Sequence, residues 1–470
     1  GLPLAIELAA ARAATLPLPD LAERLDDHYA LLDSATRAAD PRHRSLAATL
    51  AWGHALMGAD EQAVFARLAV FRGGFDLAAA EAVGEGADVT LQLARLVASS
   101  MVQREDRPDG GVRYRLLETV RAFAGDRLDP AQRDALTAGH AAFYLARAEE
   151  ARNHLFAASS GPWLAALHTE RDNLRVALAW FFGHDPAGGL RLVDCLWHYW
   201  DLRGARDEGL YWVHAALEAS GPAAARLPLL SAGALLHLGR ADLADTERLA
   251  GEELDLARED AAAHWEGDAL ALLATVDWAR GRYDRAHQRY EDGVTLSLAG
   301  GDLWGAALAE AQLARLHRDR REPDAGRTVA LRALRHAETV GEGAARGLAR
   351  DVLASIEQRW GDADEAARLA TEALALYRGV GYVEGEASVL RLVGTIALGA
   401  GREDEARDAF RAALDLCRRI GHRAGIAEAL EGLADLASRT GDAAESAAIA
   451  AEAEVLRATT GIPRPAVSRR

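Results

Sequence analysis

Nine residues in the second half of the sequence occupy repeating positions and carry groups able to hold a ligand: Thr275, Trp278, Arg315, Arg318, Ser355, Gln358, Arg391, Thr395 and Asp435. Guanidinium groups set beside hydroxyls and an indole suit anions, hydrogen-bond acceptors and flat apolar surfaces. They are the chemistry of binding rather than of bond cleavage, and the same residues also fit an ordinary solvated helix face. Catalysis finds little support elsewhere. The 15 histidines form no His-x-x-x-His pair and no His-Glu-x-x-His motif, so no metal site is expected. No Ser/His/Asp or paired-carboxylate arrangement stands out from the charged helix faces, so no catalytic residue is expected either. The run WHYW, Trp197 to Trp200, with Trp163 and Trp212 nearby in sequence, offers either an aromatic ligand cage or simple core filling.

Charge and composition narrow the field further. The 54 basic residues are all arginine, against 71 acids, for a net charge of −17. A phosphate loop of the Gly-x-x-x-x-Gly-Lys type needs a lysine and so cannot occur here. Such acidity argues against generic binding to a nucleic-acid backbone. Lysine-free, Ala- and Arg-rich usage is what GC-rich coding produces. No apolar stretch approaches the roughly 18 residues that a membrane span needs. Cys195 and Cys417 are two distant thiols that make neither a disulfide framework nor a metal set. These features point to a cytoplasmic protein, and a length of 470 residues to several domains.

The elements that must position the nine residues are written as an internal period. GRYDRA at Gly281, REPDAG at Arg321, GDADEA at Gly361, GREDEA at Gly401 and GDAAES at Gly441 recur every 40 residues. A second set, Gly301, Gly341, Gly381, Gly421 and Gly461, falls half a period later. Each unit is expected to be two helices, with glycine supplying the left-handed turn and the following Asp capping the next helix. Leu273, Leu313, Leu353, Val393 and Leu433 are each followed by Ala or Gly, a large knob beside a small hole that lets helices cross closely. Ala286, Ala366 and Ala406, then Tyr290 or Phe410, then Ala333, Ala373 or Ala413 mark the inner side of the second helix. This pattern resembles the tetratricopeptide repeat in a variant of about 40 residues. The resemblance implies a solenoid with a concave binding face on which the nine residues would lie, taking a protein or small-molecule inducer. Traces at Gly204 and Gly239 depart from the 40-residue spacing and suggest that irregular repeats begin near Leu190.

Residues 36–130 follow another pattern. Amphipathic helices are expected over Ser45 to Met57, Asp60 to Phe71, Leu77 to Val83 and Val89 to Ala98, with the GGF at Gly73 breaking the second. MVQRE and RYRLL then alternate on either side of the turn-rich DRPDGG, a hairpin. Helices followed by a two-stranded wing make a winged helix. Its recognition helix holds one cation, Arg95, and residues 36–130 carry 12 Arg against 13 acids, which argues against direct DNA contact.

GLPL, about 30 helical residues, this winged helix and the repeat array, in that order, resemble the C-terminal part of a bacterial STAND regulatory ATPase of the NB-ARC type, as in actinobacterial transcriptional regulators. The resemblance implies a mainly α fold: residues 1–35 as the last helices of the NB-ARC module, 36–130 as winged helix, 131–189 as helical linker, 190–460 as tetratricopeptide α-solenoid and 461–470 as tail. It implies that Pro3 and Leu4 lie near an adenine. It places Leu116, Leu117 and Glu118 at the family's Met-His-Asp sensor, where leucine replaces the phosphate-facing histidine; Glu118 also fits a first-turn residue that complements a helix dipole. On this resemblance the chain is a piece of a longer protein. ATP or ADP with magnesium would belong to the parent, and the nucleotide-binding domain would lie upstream in cis. A stand-alone repeat scaffold for protein–protein interaction, and a DNA-binding regulator acting through the winged helix, remain as alternatives.

Overall fold

The computed structural model describes residues 46–84, 88–107, 110–219 and 222–460. Pro3, Leu4, the helices expected within 1–35 and the tail 461–470 lie outside the described residues. The described chain divides into two compact units, one holding the residues up to Arg147 with Thr169–His184, the other Ala148–His168 with everything from Asp185 onward.

In the first unit α1 (Leu46–Ala55) precedes α2 (Ala59–Arg67), which tightens into a 3-10 turn at Leu68–Val70. Next come α3 (Leu77–Val83) and α4 (Val89–Ala98), each started by an aspartate. Asp76 accepts the Ala79 N–H at 2.9 Å and Asp88 the Leu91 N–H at 3.0 Å. Strands β1 (Gln103–Asp106) and β2 (Val112–Arg115) pair antiparallel with Gln103 opposite Arg115, and α5 (Glu118–Gly125) follows. Gly73 and Gly74 take φ of 70° and 99°, which side-chain-bearing residues resist. That turn brings Phe75 alongside β2, its amide donating to the Tyr114 carbonyl at 2.9 Å. Phe65, Leu68, Phe75, Leu93 and Leu96 are fully buried and form the core.

Two long helices, α6 (Pro130–Leu155) and α7 (Ser160–His184), each contribute to both units. The α7 part of the first unit is tied to the hairpin through a buried network. Arg113 of β2 donates to both carboxylate oxygens of Glu170, at 2.5 and 3.2 Å, and to the Gly74 carbonyl at 2.9 Å. Tyr144 and Asn173 donate to the same carboxylate at 3.0 and 2.8 Å. Within 131–189, Tyr144, Glu170 and Asn173 therefore do more than connect: they bond to the hairpin and to one another inside the first unit.

The second unit is a stack of helix pairs. After α8 (Pro186–Leu202) and α9 (Arg206–Glu218), the pairs are α10 (Ala223–Gly239) with α11 (Leu243–Glu259), α12 (Ala263–Ala279) with α13 (Tyr283–Ala299), and α14 (Leu303–Asp319) with α15 (Pro323–Val340). Then come α16 (Gly343–Trp360) with α17 (Ala363–Val380), α18 (Val383–Gly399) with α19 (Glu403–Arg419), and α20 (Arg423–Arg439) with α21 (Ala443–Thr460). Left-handed residues punctuate them every 20 positions: Ala241, Ala261, Gly281, Gly301, Arg321, Gly341, Gly381, Gly401, Gly421 and Gly441, with φ from 53° to 88°. Gly361 is the exception, at φ −124°.

This cadence corrects the reading of the turn near Gly239, while Gly204, 37 positions before Ala241, does depart from the 40-residue spacing. The turn after α10 is made by Ala241 rather than at Gly239, so the pair α10–α11 is in the 40-residue register. Alanine hid it, because only the tertiary packing forces a Cβ-bearing residue into this conformation at a cost on the order of 1 kcal/mol. The knob-and-hole pairs lie in the core: Leu273, Leu313 and Leu353 with Ala274, Ala314 and Ala354 are buried, as are Ala286, Ala366, Ala406 and Tyr290. Val393 and Leu433 are half-buried instead. Of the turn acids, Asp362 and Asp442 cap the following helices, whereas Arg282 and Arg402 stand at the same position and do not. Among the described residues, no helix is long and apolar enough to cross a membrane.

Candidate functional site

The first helices of successive pairs, α10 to α20, turn one face inward and line two connected cavities of about 300 Å³ and 470 Å³ that share Leu238, Thr275, Trp278 and Arg315. Seven of the nine sequence-selected residues meet there: Thr275, Trp278, Arg315, Arg318, Ser355, Arg391 and Thr395. Gln358 is half-buried and does not line the cavities; Asp435 is exposed and pairs with Arg439 one turn on. The missed positions lie one to three turns earlier on the same helix face, at i−4, i−7 and i−11 from the Thr275-type position. Asp268, Leu308, Leu348, Ser388 and Glu428 form one such row, and Trp304, Ala344, Glu384 and Ala424 another. Continuing the helical spacing backward from Thr275 would have found them.

The smaller cavity is aromatic. Trp197, Trp278, Trp304, Tyr290 and Tyr382 line it together with His198. The WHYW run divides by helix face: Trp200 is core, 1% exposed, while Trp197 and His198 reach the cavity wall. Trp163 stacks on His154 at 4.6 Å, elsewhere in the unit. His198 stacks on Phe156 at 4.7 Å and meets Trp304 edge-on at 5.6 Å. Burial outweighs the nearby Glu342 and pushes the His198 pKa down to about 4, so the ring is neutral, with one donor and one acceptor nitrogen. Neither nitrogen of His198 has a hydrogen-bond partner among the described residues, nor has the Trp304 indole N–H. Thr275 and Tyr290 join hydroxyls at 2.7 Å between the aromatic wall and Arg315.

Charge in the cavities is mostly spoken for. Arg206 is shared by Asp201, at 2.7 Å, and Glu384, at 2.6 Å, a link between helices 178 positions apart in sequence. Arg206 and neighbouring His422 pull the Glu384 pKa to about 2 against the burial that would raise it. Arg318 pairs with Asp319 at 2.9 Å, Arg391 with Glu428 at 2.7 Å, and Arg457 with Glu431 at 2.8 Å. Three lining acids have no cationic partner among the described residues. Glu342 accepts the Ala344 and Ala345 amides at 2.7 and 2.6 Å, Asp351 accepts from Ser388 at 3.1 Å, and Asp268 accepts from Ser231. Burial raises the Asp268 pKa to about 6. Arg315 is the one lining arginine without an ion pair among the described residues; its bond is to Gln312 at 3.4 Å. Burial opposes its charge, but Asp351, Asp319 and Glu428 outweigh that and keep its pKa above the ordinary value.

The remaining selected residue, Glu118, opens α5, is mostly exposed, and pairs with Arg72 at 3.2 Å and with Arg121. That geometry is a surface charge cluster at a helix start. On α4, Thr90, Leu91, Ala94, Arg95 and Ala98 face outward, as does Ser99 just after it, a surface with one cation. His237, Asp242 and Asp245 approach one another closely enough to share a metal. Each is already engaged: His237 pairs with Asp242 at 3.2 Å, Asp242 starts α11, and Asp245 holds Arg248 at 2.8 Å.

Comparison with known proteins divides along the same two units. Residues 57–129 match a model of the winged helix-turn-helix domain, and residues 385–455 a model of the tetratricopeptide repeat. A protein of Mycobacterium tuberculosis named as an HTH-type transcriptional regulator is 41% identical over 225 residues, which is 46% of this chain and 25% of that protein. An uncharacterized protein of the same organism is 42% identical over 134 residues, 27% of this chain and 34% of its own length. Among solved structures, a STAND protein with a tetratricopeptide repeat sensor from Pyrococcus horikoshii is similar with a TM-score of 0.44 at 11% identity, covering 97% of this chain and 72% of that one. A Rap protein complexed with competence and sporulation factor gives a TM-score of 0.45 at 12% identity, covering 58% and 77%. The chain spans between a quarter and a third of the length of these curated relatives, and within it a winged helix-turn-helix domain precedes a tetratricopeptide array.

Proposed function

We propose that this chain is the sensing portion of a cytoplasmic transcriptional regulator, in which the inner cavity of the repeat array takes an inducer or a protein partner. The observation that carries the reading is the convergence of seven binding-type residues on one inner surface, beside His198 and a Trp304 indole N–H that have no hydrogen-bond partner among the described residues. Buried polar groups without partners cost about 1–3 kcal/mol each, which a ligand that satisfies them recovers. The similarity to proteins named as regulators supports the output side.

The winged helix relays the signal rather than reading DNA, since the outward face of α4 presents small and apolar residues around Arg95. The relay acts on a nucleotide-binding core upstream in cis, which would hold ATP or ADP with magnesium, with Pro3 and Leu4 against the adenine. Switching requires that the inducer bind two arrangements of the array unequally. The Arg206 link to Asp201 and Glu384 joins early and late helices across the cavity, so a ligand lying between them biases that closure.

Leu308→Trp, which fills the cavity from a half-buried position, tests the reading in the full-length parent. The variant is expected to lose the signal-dependent change in transcript levels, measured across the transcriptome, while the array melts as before. A variant that still responds like the parent rules out the cavity as the sensor.

A further inference from the structure

We infer that the cavity takes a small zwitterion of the aromatic amino-acid type: its carboxylate on Arg315, its ammonium toward Asp268 and Glu342, and its ring among Trp197, Trp278 and Trp304. The inference rests on the sensor reading above and names its ligand class.

Charge is the first support. In the 300 Å³ cavity the carboxylates of Asp201, Asp268, Glu342 and Glu384 face two guanidiniums, Arg206 and Arg315. Arg206 is consumed by Asp201 and Glu384. What remains among the described residues is one guanidinium without an ion pair and two carboxylates without a cationic partner, held by the Ser231 hydroxyl and two backbone amides. A ligand bearing only an anion would satisfy Arg315 and worsen the acid excess; one bearing only a cation would do the reverse. A zwitterion answers both, and charge-assisted bonds at each end are the strong kind.

Shape and hydrogen bonding are the second. Three tryptophans around one cavity supply flat apolar walls, and indole faces also favour a nearby ammonium. The unpartnered Trp304 N–H and the neutral His198 add donors for a ligand oxygen. The aromatic cavity of about 300 Å³ lies at the small end of ligand sites and holds a single amino acid.

The test uses the 470-residue chain, with L-tryptophan and L-phenylalanine as probes, each beside analogues that remove one charge. For tryptophan these are tryptophanamide and tryptamine without the carboxylate, and N-acetyltryptophan and indole-3-propionate without the ammonium. Titration calorimetry is expected to show saturable binding of the amino acids and at least a roughly tenfold loss for either single-charge analogue, about 1.4 kcal/mol per charge. Arg315→Met should abolish the preference for tryptophan over its amide, and Asp268→Asn should weaken the preference over N-acetyltryptophan. Circular dichroism melts check that both variants fold. Binding of an analogue as tight as its parent overturns the matching charge assignment, and absence of saturable binding by both amino acids overturns the proposal. If Leu308→Trp abolishes signalling and neither amino acid binds, the sensor reading stands and this inference alone falls.

Discussion

Replacing Glu170 by alanine should loosen the first unit more than any surface change could. The carboxylate is 6% exposed and accepts from Arg113, Tyr144 and Asn173 at once, while Arg113 is itself 8% exposed. Removing it leaves a buried guanidinium with only carbonyl partners at Gly73, Gly74 and Thr169. Breaking one side of a buried ion pair costs about 3–5 kcal/mol. Since each 1.4 kcal/mol is tenfold in an equilibrium, amides of Thr169–His184 and of β2 that exchange through opening of this unit should speed up by roughly 10²-fold to several thousandfold. Hydrogen exchange read by mass spectrometry on peptides from those segments measures it directly, with the repeat array as an internal control that should not change. The double variant Arg113→Met with Glu170→Leu should recover at least half of the loss, because the penalty lies in the stranded charge and not in the missing pair. Less than about fivefold acceleration in Glu170→Ala, or a double variant as unprotected as the single, would refute this account of what holds α7 to the hairpin.

Three further outcomes are expected. Burial raises the Asp268 pKa to about 6 and pushes Glu253 beside it well up, with Ser231 and Asp302 the other groups facing Asp268. The fold thus prefers the protonated acids, so the Asp268 contribution is whole below about pH 4 and is lost as pH climbs through about 6; Asp268→Asn should flatten that decline, on the order of 2 kcal/mol, in melts across pH 4–8. A Cβ on Gly432 would stand 2.4 Å from the Phe410 ring, so Gly432→Ala should destabilise the last pairs by about 1–3 kcal/mol in urea titrations, and Phe410→Leu should relieve it. The chain on its own should bind ATP no tighter than about millimolar and release no phosphate above the buffer blank, since phosphate loop and magnesium ligands would have to come from elsewhere; measurable turnover would expose a catalytic site in these residues.

Much of the repeat architecture was legible because its determinants are local. A glycine at a left-handed turn, an alanine beside a leucine and a 40-residue cadence act within one helix pair, and they marked two helices per unit from Trp265 onward. The same holds for the winged helix, where Asp76, Asp88 and the GGF turn set boundaries through neighbours a few residues away. The pair α10–α11 escaped because Ala241 and Ala261 carry no glycine signature and take their conformation from packing.

The inner surface was legible only along one row. Thr275, Arg315 and Thr395 follow from the period and bond locally, to Tyr290, Gln312 and the Arg391 carbonyl, whereas other groups on the same surface meet across long stretches of chain. Arg206 meets Glu384, His198 faces Trp304, and Arg391 and Arg457 find Glu428 and Glu431 on other helices. Those meetings depend on the small rotation from each pair to the next, summed over the array, which no single repeat encodes. Glu170 is the same case in the first unit: its position on a long helix reads as one more exposed acid until the hairpin brings Arg113 against it. Short-range patterning therefore determined which elements form and which face each turns inward. Accumulated curvature and long-range closure decided which charges are paired, which are left waiting, and so what the cavity can hold.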